Sequence, residues 1–296
     1  MNREPFEGVR SLLHFAGFRY WTASLLPSLV GTTLPFWLRP PGFLFRLPVA
    51  IEFLFATVFV HAEFSFLLAI FEGAATPRWS KPRLLRYAGV CIVAACLLGL
   101  HLNSGLTLHY GVPRSIFIIY GLVTLFVGVL YVVPPLKFHR QKGGEIIIAE
   151  GLGMIPVLSA YLVQVGDITR TVYLASLPLV VATGLWVWME ELASISDDAQ
   201  AGRRTLVIDF GLKFSARFDA LTLALLLITT LIVAVLSSST APLTLIALLL
   251  IGLVWKIVIV AWNEYTRPER MITLGRYAFM MHLATGMIVA GSSLVI

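Results

Sequence analysis

The chain has 296 residues, of which 58% are hydrophobic and only 13% charged, with a mean hydropathy of +0.87. A soluble domain carries about 25% charged residues, so this composition excludes a water-soluble enzyme and places the chain in a bilayer. The only two cysteines, Cys91 and Cys96, lie five apart in an apolar run, which excludes a disulfide framework and offers no metal-ligand spacing.

Taken in chain order, apolar runs of about 20 residues, the length that crosses a bilayer, predict nine transmembrane helices in a single domain spanning residues 1–296. They lie near Tyr20–Leu38, Pro48–Phe71, Leu84–Leu102, Ser115–Val133, Ile146–Val165, Val172–Leu192, Phe218–Leu236, Leu243–Trp262 and Ile272–Ile296. Breaks fall at Arg39-Pro40-Pro41-Gly42, Thr76-Pro77-Arg78, Pro134-Pro135, Gly143-Gly144 and the polar run before Pro242. Pro27, Pro156 and Pro178 are expected to kink the helices that contain them. Met1 to Tyr20 lacks a continuous apolar core and a cleavage site, so no cleavable signal peptide is expected and the first span serves as the insertion signal.

Lysine and arginine set the orientation. Arg3, Arg10, Arg19, Arg78, Lys81, Arg83, Arg86, Lys137, Arg140, Lys142, Arg203, Arg204, Lys213, Arg217, Arg267, Arg270 and Arg276 belong to one face. The other face holds Arg39, Arg46, Arg114 and Arg170, and Lys256 lies within a span. A bias of 17 to 4 predicts a cytoplasmic N-terminus and cytoplasmic acidic and basic loops. The net charge of +6 then reflects topology and anionic lipid headgroups, and it calls for no nucleic acid.

The acids are more informative. Glu190, Glu191, Asp197 and Asp198 crowd the cytoplasmic end of the sixth span, just before Gly202-Arg203-Arg204-Thr205. If the helix continues, Glu190, Ser194 and Asp198 share one face at i, i+4 and i+8. Mutual repulsion demands a neutralising partner. Either a divalent cation such as Mg²⁺ supplies it, or the cluster is a solvated helix end paired with Arg203 and Arg204. In the second span, Glu63 sits inside the apolar run and Glu72 marks its cytoplasmic end. A carboxylate within a span costs about 2.5–3.5 kcal/mol on insertion scales, so Glu63 is either a protonated or paired structural acid, with Lys256 one possible partner, or a site residue. His61, Ser65 and Glu72 project to roughly one helix face.

Four stretches, in order, resemble the UbiA superfamily of intramembrane prenyltransferases, especially its menaquinone-pathway naphthoate prenyltransferase branch. Arg19-Tyr20-Trp21-Thr22-Ala23-Ser24, with Pro27 and Gly31-Thr32, is similar to that branch's first helix. Tyr131-Val132-Val133-Pro134-Pro135-Leu136-Lys137, followed by Gly144-Glu145, looks like its tyrosine–proline–proline–basic loop. Pro156 to Tyr161, then Gln164 and Gly166, resembles the next helix. Asp198 before Gly202-Arg203-Arg204-Thr205-Leu206-Val207 stands where the second aspartate motif ends.

The resemblance implies an all-α membrane bundle that transfers a prenyl group from a prenyl diphosphate to an aromatic or quinone-precursor acceptor, with Mg²⁺ as cofactor. It assigns Asp198, Glu191 and Glu72 as catalytic, and Asp198, Glu190, Glu191 and Glu72 as metal ligands. Arg19, Lys137, Arg140, Arg203, Arg204 and Tyr131 would bind substrate. Trp186 and Trp188 would line the isoprenoid tail or serve as ordinary packing. The departures are as plain: Leu68-Ala69 replace the Asn-Asp of the first motif, leaving Glu72, and Ser194 stands at an Asp position of the second. A lapsed or repurposed prenyl-lipid-binding relative is therefore the alternative. A small transporter, resting on Glu63 and Lys256, is the different class; such folds often show repeated halves with interrupted helices, and no repeat in the sequence is strong enough to favour it.

Overall fold

A computed structural model of the chain describes residues 12–17, 20–73, 76, 79–236 and 241–294, and among these residues the secondary structure is entirely helical. The long elements are α1 (Thr22–Leu38), α2 (Leu47–Phe71), α3 (Lys81–Tyr110), α4 (Arg114–Val132), α5 (Gly144–Gly153), α6 (Ile155–Val165), α7 (Arg170–Gln200), α8 (Leu206–Phe210), α9 (Ala220–Leu236), α10 (Ala241–Glu264) and α11 (Pro268–Ser292). A short 3₁₀ turn, Phe138–Arg140, precedes α5, and a π-helical turn, Ser215–Asp219, leads into α9. Each expected span coincides with a helix or a broken helix. Six stretches of the described residues are long and apolar enough to cross a membrane: Leu47–Phe71, Lys81–Tyr110, Gly144–Val165, Arg170–Gln200, Leu212–Ile232 and Pro268–Gly291.

Local chemistry sets the boundaries. Pro48, Pro82 and Pro156 occupy the first turns of α2, α3 and α6, where the missing N–H is no loss. Gly111, at φ +65°, ends α3 by donating its N–H to the Thr107 carbonyl. Pro156 separates α5 from α6 at Met154, because a proline inside a helix removes one rung of the hydrogen-bond ladder. Pro27 and Pro178, by contrast, lie inside continuous helices.

Two helices run beyond the expected spans. α7 has 31 residues, which at 1.5 Å per residue makes it roughly 46 Å long, well over the ~30 Å hydrocarbon core. The helix continues through Glu190 to Gln200, so the condition that puts Glu190, Ser194 and Asp198 on one face is met. α3 likewise continues from Leu102 to Tyr110.

The chain divides into two compact units, one of residues up to Leu25 with Arg46–Lys137, the other of Leu26–Phe45 with Phe138–Ile296. In the first, α2 packs along α3 and α4 braces both. Stacked rings close one end of this unit: Phe66 on Tyr87 at 5.7 Å and Trp79 beside Tyr87 at 5.9 Å. The outer face of α3 leaves Leu85, Val90, Val93, Leu97, Leu100 and Leu108 exposed, a surface suited to lipid.

In the second unit α7 is the central mast, packed by α5, α6, α9 and α11. Its Leu179, Leu185 and Met189 are fully buried, and Leu179 joins Val30, Leu34, Val157, Leu158 and Tyr161 in one apolar cluster. Two glycines permit the close approach. A Cβ at Gly31 would collide with the Val157 carbonyl and crowd Ala160, and one at Gly153 would meet the Val180 backbone. Small residues at helix contacts are how bilayer helices gain van der Waals packing without a hydrophobic driving force.

Candidate functional site

In the second unit, two loops with basic side chains are tied to one another. The first, after the Phe138–Arg140 turn, contains Arg140 and Lys142 and doubles back sharply: Gly144 lies so close to the Phe138 carbonyl that any Cβ would collide with it. The second, between α7 and α8, contains Arg203 and Arg204. The Arg204 N–H donates to the Arg140 carbonyl at 2.8 Å, and Arg140 Nη1 reaches the Ala201 carbonyl at 3.5 Å. Lys142 Nζ pairs with Asp209 Oδ1 of α8 at 2.6 Å. Glu145, at the start of α5 and only 4% exposed, accepts the Leu206 N–H on Oε1 at 2.5 Å and the Gly143 N–H on Oε2 at 3.1 Å. Thr205 caps α8 by accepting from the Ile208 N–H.

The acidic end of α7 adjoins these loops. Asp198 is buried, pairs with Arg203 Nη1 at 3.0 Å and accepts from Ser194 Oγ at 2.7 Å. Glu191 lies close to Glu145 and Thr205, and its Oε2 is buried without a hydrogen-bond partner. Glu190 lays its stem against Gly275 of α11. Of the two arginines expected to neutralise this end, Arg203 does so, while Arg204 is exposed. Trp186 packs on Phe279 at 5.0 Å, and Trp188 donates its indole N–H to the Ser215 carbonyl at 3.2 Å, both buried.

In the first unit, the end of α4 and the loop after it follow one face of α2. Tyr131 meets the Phe64 ring at 5.6 Å, and Lys137 Nζ stands 5.7 Å over the Phe71 ring, seven residues further along. Lys137 takes the left-handed backbone region at φ 45°, a conformation that costs a non-glycine residue of order 1 kcal/mol. Glu72 closes α2, its N–H donating to the Leu68 carbonyl. Lys137, Tyr131 and Glu72 thus belong to one end of this unit. His61 is buried and bonded to Ser24 Oγ at 2.6 Å, and Ser65 donates back to the His61 carbonyl. Glu63 is buried beside Cys91. Lys256, offered above as a partner for Glu63, stands over the Tyr277 ring at 5.0 Å. Arg19 lies outside the described residues.

Asp198 is engaged by Arg203 and Ser194, Glu191 has a buried carboxylate oxygen without a partner, and among the described residues no three His, Cys, Asp or Glu side chains converge. What the arrangement offers instead is a rigid pair of cationic loops beside an apolar bundle, suited to a lipid-borne phosphate anion. The residue that sequence reasoning missed is Glu145. Its signal was its place after the glycine pair, in the Gly144-Glu145 step of the loop that resembles the family.

Comparison with known proteins agrees with the earlier resemblance. The family model described as the UbiA prenyltransferase family matches residues 74–283. Among curated proteins, the 1,4-dihydroxy-2-naphthoate octaprenyltransferase of Bacillus subtilis (strain 168) is 26% identical over 203 residues, covering 65% of this chain and 63% of that protein. The match thus spans under two thirds of that relative's length. Among solved structures, the apo structure of a UbiA homolog from Aeropyrum pernix K1 superposes with a TM-score of 0.68 at 14% identity, over 94% of this chain and 98% of that one. A UbiA homolog from Archaeoglobus fulgidus bound to GPP and Mg²⁺ superposes with a TM-score of 0.62 at 14% identity, over 95% and 99%. These structures share the fold, and the family match covers most of the chain and draws on both units. The chain belongs to the UbiA prenyltransferase family.

Proposed function

We propose that the chain holds a prenyl diphosphate against the Arg140–Lys142 and Arg203–Arg204 loops and transfers its prenyl group to an aromatic or quinone-precursor acceptor. In such a transfer the bond between the allylic carbon and the diphosphate oxygen breaks, pyrophosphate leaves with the electron pair, and a ring carbon attacks the allylic cation. The ring then gives up a proton. Charge grows on the leaving oxygens, so fixed cations beside them lower the barrier. In this reading Asp198 partly neutralises Arg203, Glu191 stands beside the loops at the end of α7, and Glu72 is a candidate proton acceptor. A cytoplasmic N-terminus and cytoplasmic loops follow from the basic bias, and both units act as a single domain.

The single observation that carries the reading is the linkage of the two basic loops through the Arg204 N–H to the Arg140 carbonyl. Mg²⁺ accompanies GPP in the A. fulgidus homolog, whereas Asp198 of this chain is held by Arg203 and Ser194. A second reading, a prenyl-lipid-binding relative without transferase activity, is favoured by Leu68 and Ala69 at the first motif and by the Asp198–Arg203 pair.

The test is an assay of purified protein in nanodiscs with geranyl, farnesyl and octaprenyl diphosphates, 1,4-dihydroxy-2-naphthoate and other phenolic acceptors, with and without Mg²⁺. Prenylated acceptor and stoichiometric pyrophosphate are expected. Binding without product under every condition would establish the second reading, and absence of diphosphate binding would sink both.

A further inference from the structure

Glu145 is the buried acid between the two basic loops. Its oxygens accept one N–H from each side: Gly143, in the loop of Arg140 and Lys142, and Leu206, where the Arg203–Arg204 loop enters α8. The sequence separation of 61 between Glu145 and Leu206 makes the second contact a tertiary one. Gly144 lets the first loop fold back on Phe138, so the carboxylate reaches both donors from the first turn of α5. Glu191, from α7, lies close to the same carboxyl group, its own Oε2 buried without a hydrogen-bond partner. Three elements therefore meet at one side chain that is 4% exposed.

Besides the single Arg204 N–H to Arg140 carbonyl bond at 2.8 Å, the remaining ties between the loops are weaker. Lys142–Asp209 is about half solvent-exposed on both partners, where a pair contributes ~1 kcal/mol or less. The Arg140 to Ala201 bond is long at 3.5 Å. A buried carboxylate accepting two backbone N–H groups is charge-assisted and shielded from water, so it fixes geometry far more firmly.

We propose that Glu145 is a positioning residue for the diphosphate site: it sets the spacing of the Arg140 and Arg203 loops and touches no substrate itself. This rests on the reading that these loops bind a diphosphate. Loss of the staple leaves every cation in place and lets the two loops drift, so affinity falls although no contacting group is removed.

Two variants test it from opposite ends. Glu145→Gln keeps the side chain's size but replaces one acceptor oxygen with a donor. Leu206→Pro deletes the N–H that Glu145 accepts and exchanges the half-buried leucine side chain for the smaller proline ring. Leu206 is the first residue of α8 and follows Thr205 at φ −76°, ψ 164°, an extended conformation that proline tolerates next to it. Geranyl diphosphate affinity is measured by titration on folded protein in nanodiscs, with hydrogen–deuterium exchange over residues 140–146 and 203–208.

Each variant is expected to weaken binding by about tenfold or more, since small misplacements of binding groups carry large penalties. The double variant is expected to lose no more than either alone, because both remove one interaction. Exchange in both segments should rise together. If wild-type protein binds and Leu206→Pro binds within about twofold of it, the positioning role is overturned while the site reading stands. If wild-type protein does not bind, the site reading itself falls. Should Glu145→Gln fail to fold, Leu206→Pro decides alone by the same criteria.

Discussion

The Arg203 guanidinium lies 3.0 Å from the Asp198 carboxylate, whose other oxygen accepts the Ser194 hydroxyl at 2.7 Å. The acid that the family resemblance would give to a metal is thus held by a cation of its own chain, and the cation that would grip a diphosphate is partly neutralised. Asp198→Asn separates the two roles. It keeps the hydrogen bond from Ser194 and removes the charge. We expect it to cost about 1–3 kcal/mol of stability, because a buried pair is broken. Geranyl diphosphate affinity should rise by about threefold as Arg203 is released. A metal-ligand role predicts the reverse, a steep loss of Mg²⁺-dependent binding, and titration with and without Mg²⁺ distinguishes them.

Packing gives a second prediction, independent of function. Gly31→Ala drives a methyl into the Val157 carbonyl and Ala160, and overpacking of this kind costs about 1–3 kcal/mol. Gly99→Ala, on α3, meets open space and should raise stability by about 0.5–1 kcal/mol through helix propensity. Unfolding in detergent followed by circular dichroism reads both. Equal effects at the two glycines would contradict the packing described for α1 and α6.

Glu72 supplies a third. With Leu68 and Ala69 apolar, Glu72 is the one acid left at the end of α2. Glu72→Gln preserves size and hydrogen bonding and should leave the thermal midpoint unchanged. Prenyl transfer should fall by about a hundredfold, the lower range for loss of a positioned proton acceptor. Unaltered transfer would remove Glu72 from the reaction.

Much of this architecture was legible in the sequence because hydropathy and proline are local signals. Pro156 announced the break between α5 and α6, and the run from Val172 announced α7. The helix ends were harder. Glu190 to Gln200 carry charges that end a hydropathy window but not a helix, since glutamate and alanine are good helix formers. The site was legible only where partners lie close in sequence. Asp198 and Arg203 are five apart, and pairing of that acidic end with Arg203 was one of the two readings open from the start. Glu145 was invisible as a staple because its second donor, Leu206, comes from 61 residues away, and a backbone N–H leaves no trace in residue type.

The most direct test of the account is the geranyl diphosphate affinity of Arg140→Gln/Arg203→Gln compared with the unmodified protein, both in nanodiscs at low salt. Each charge-assisted phosphate contact contributes about 1.5–3 kcal/mol, so the account predicts that the folded double variant binds at least about tenfold more weakly. Affinity within about twofold of the unmodified protein would contradict it and place the diphosphate elsewhere.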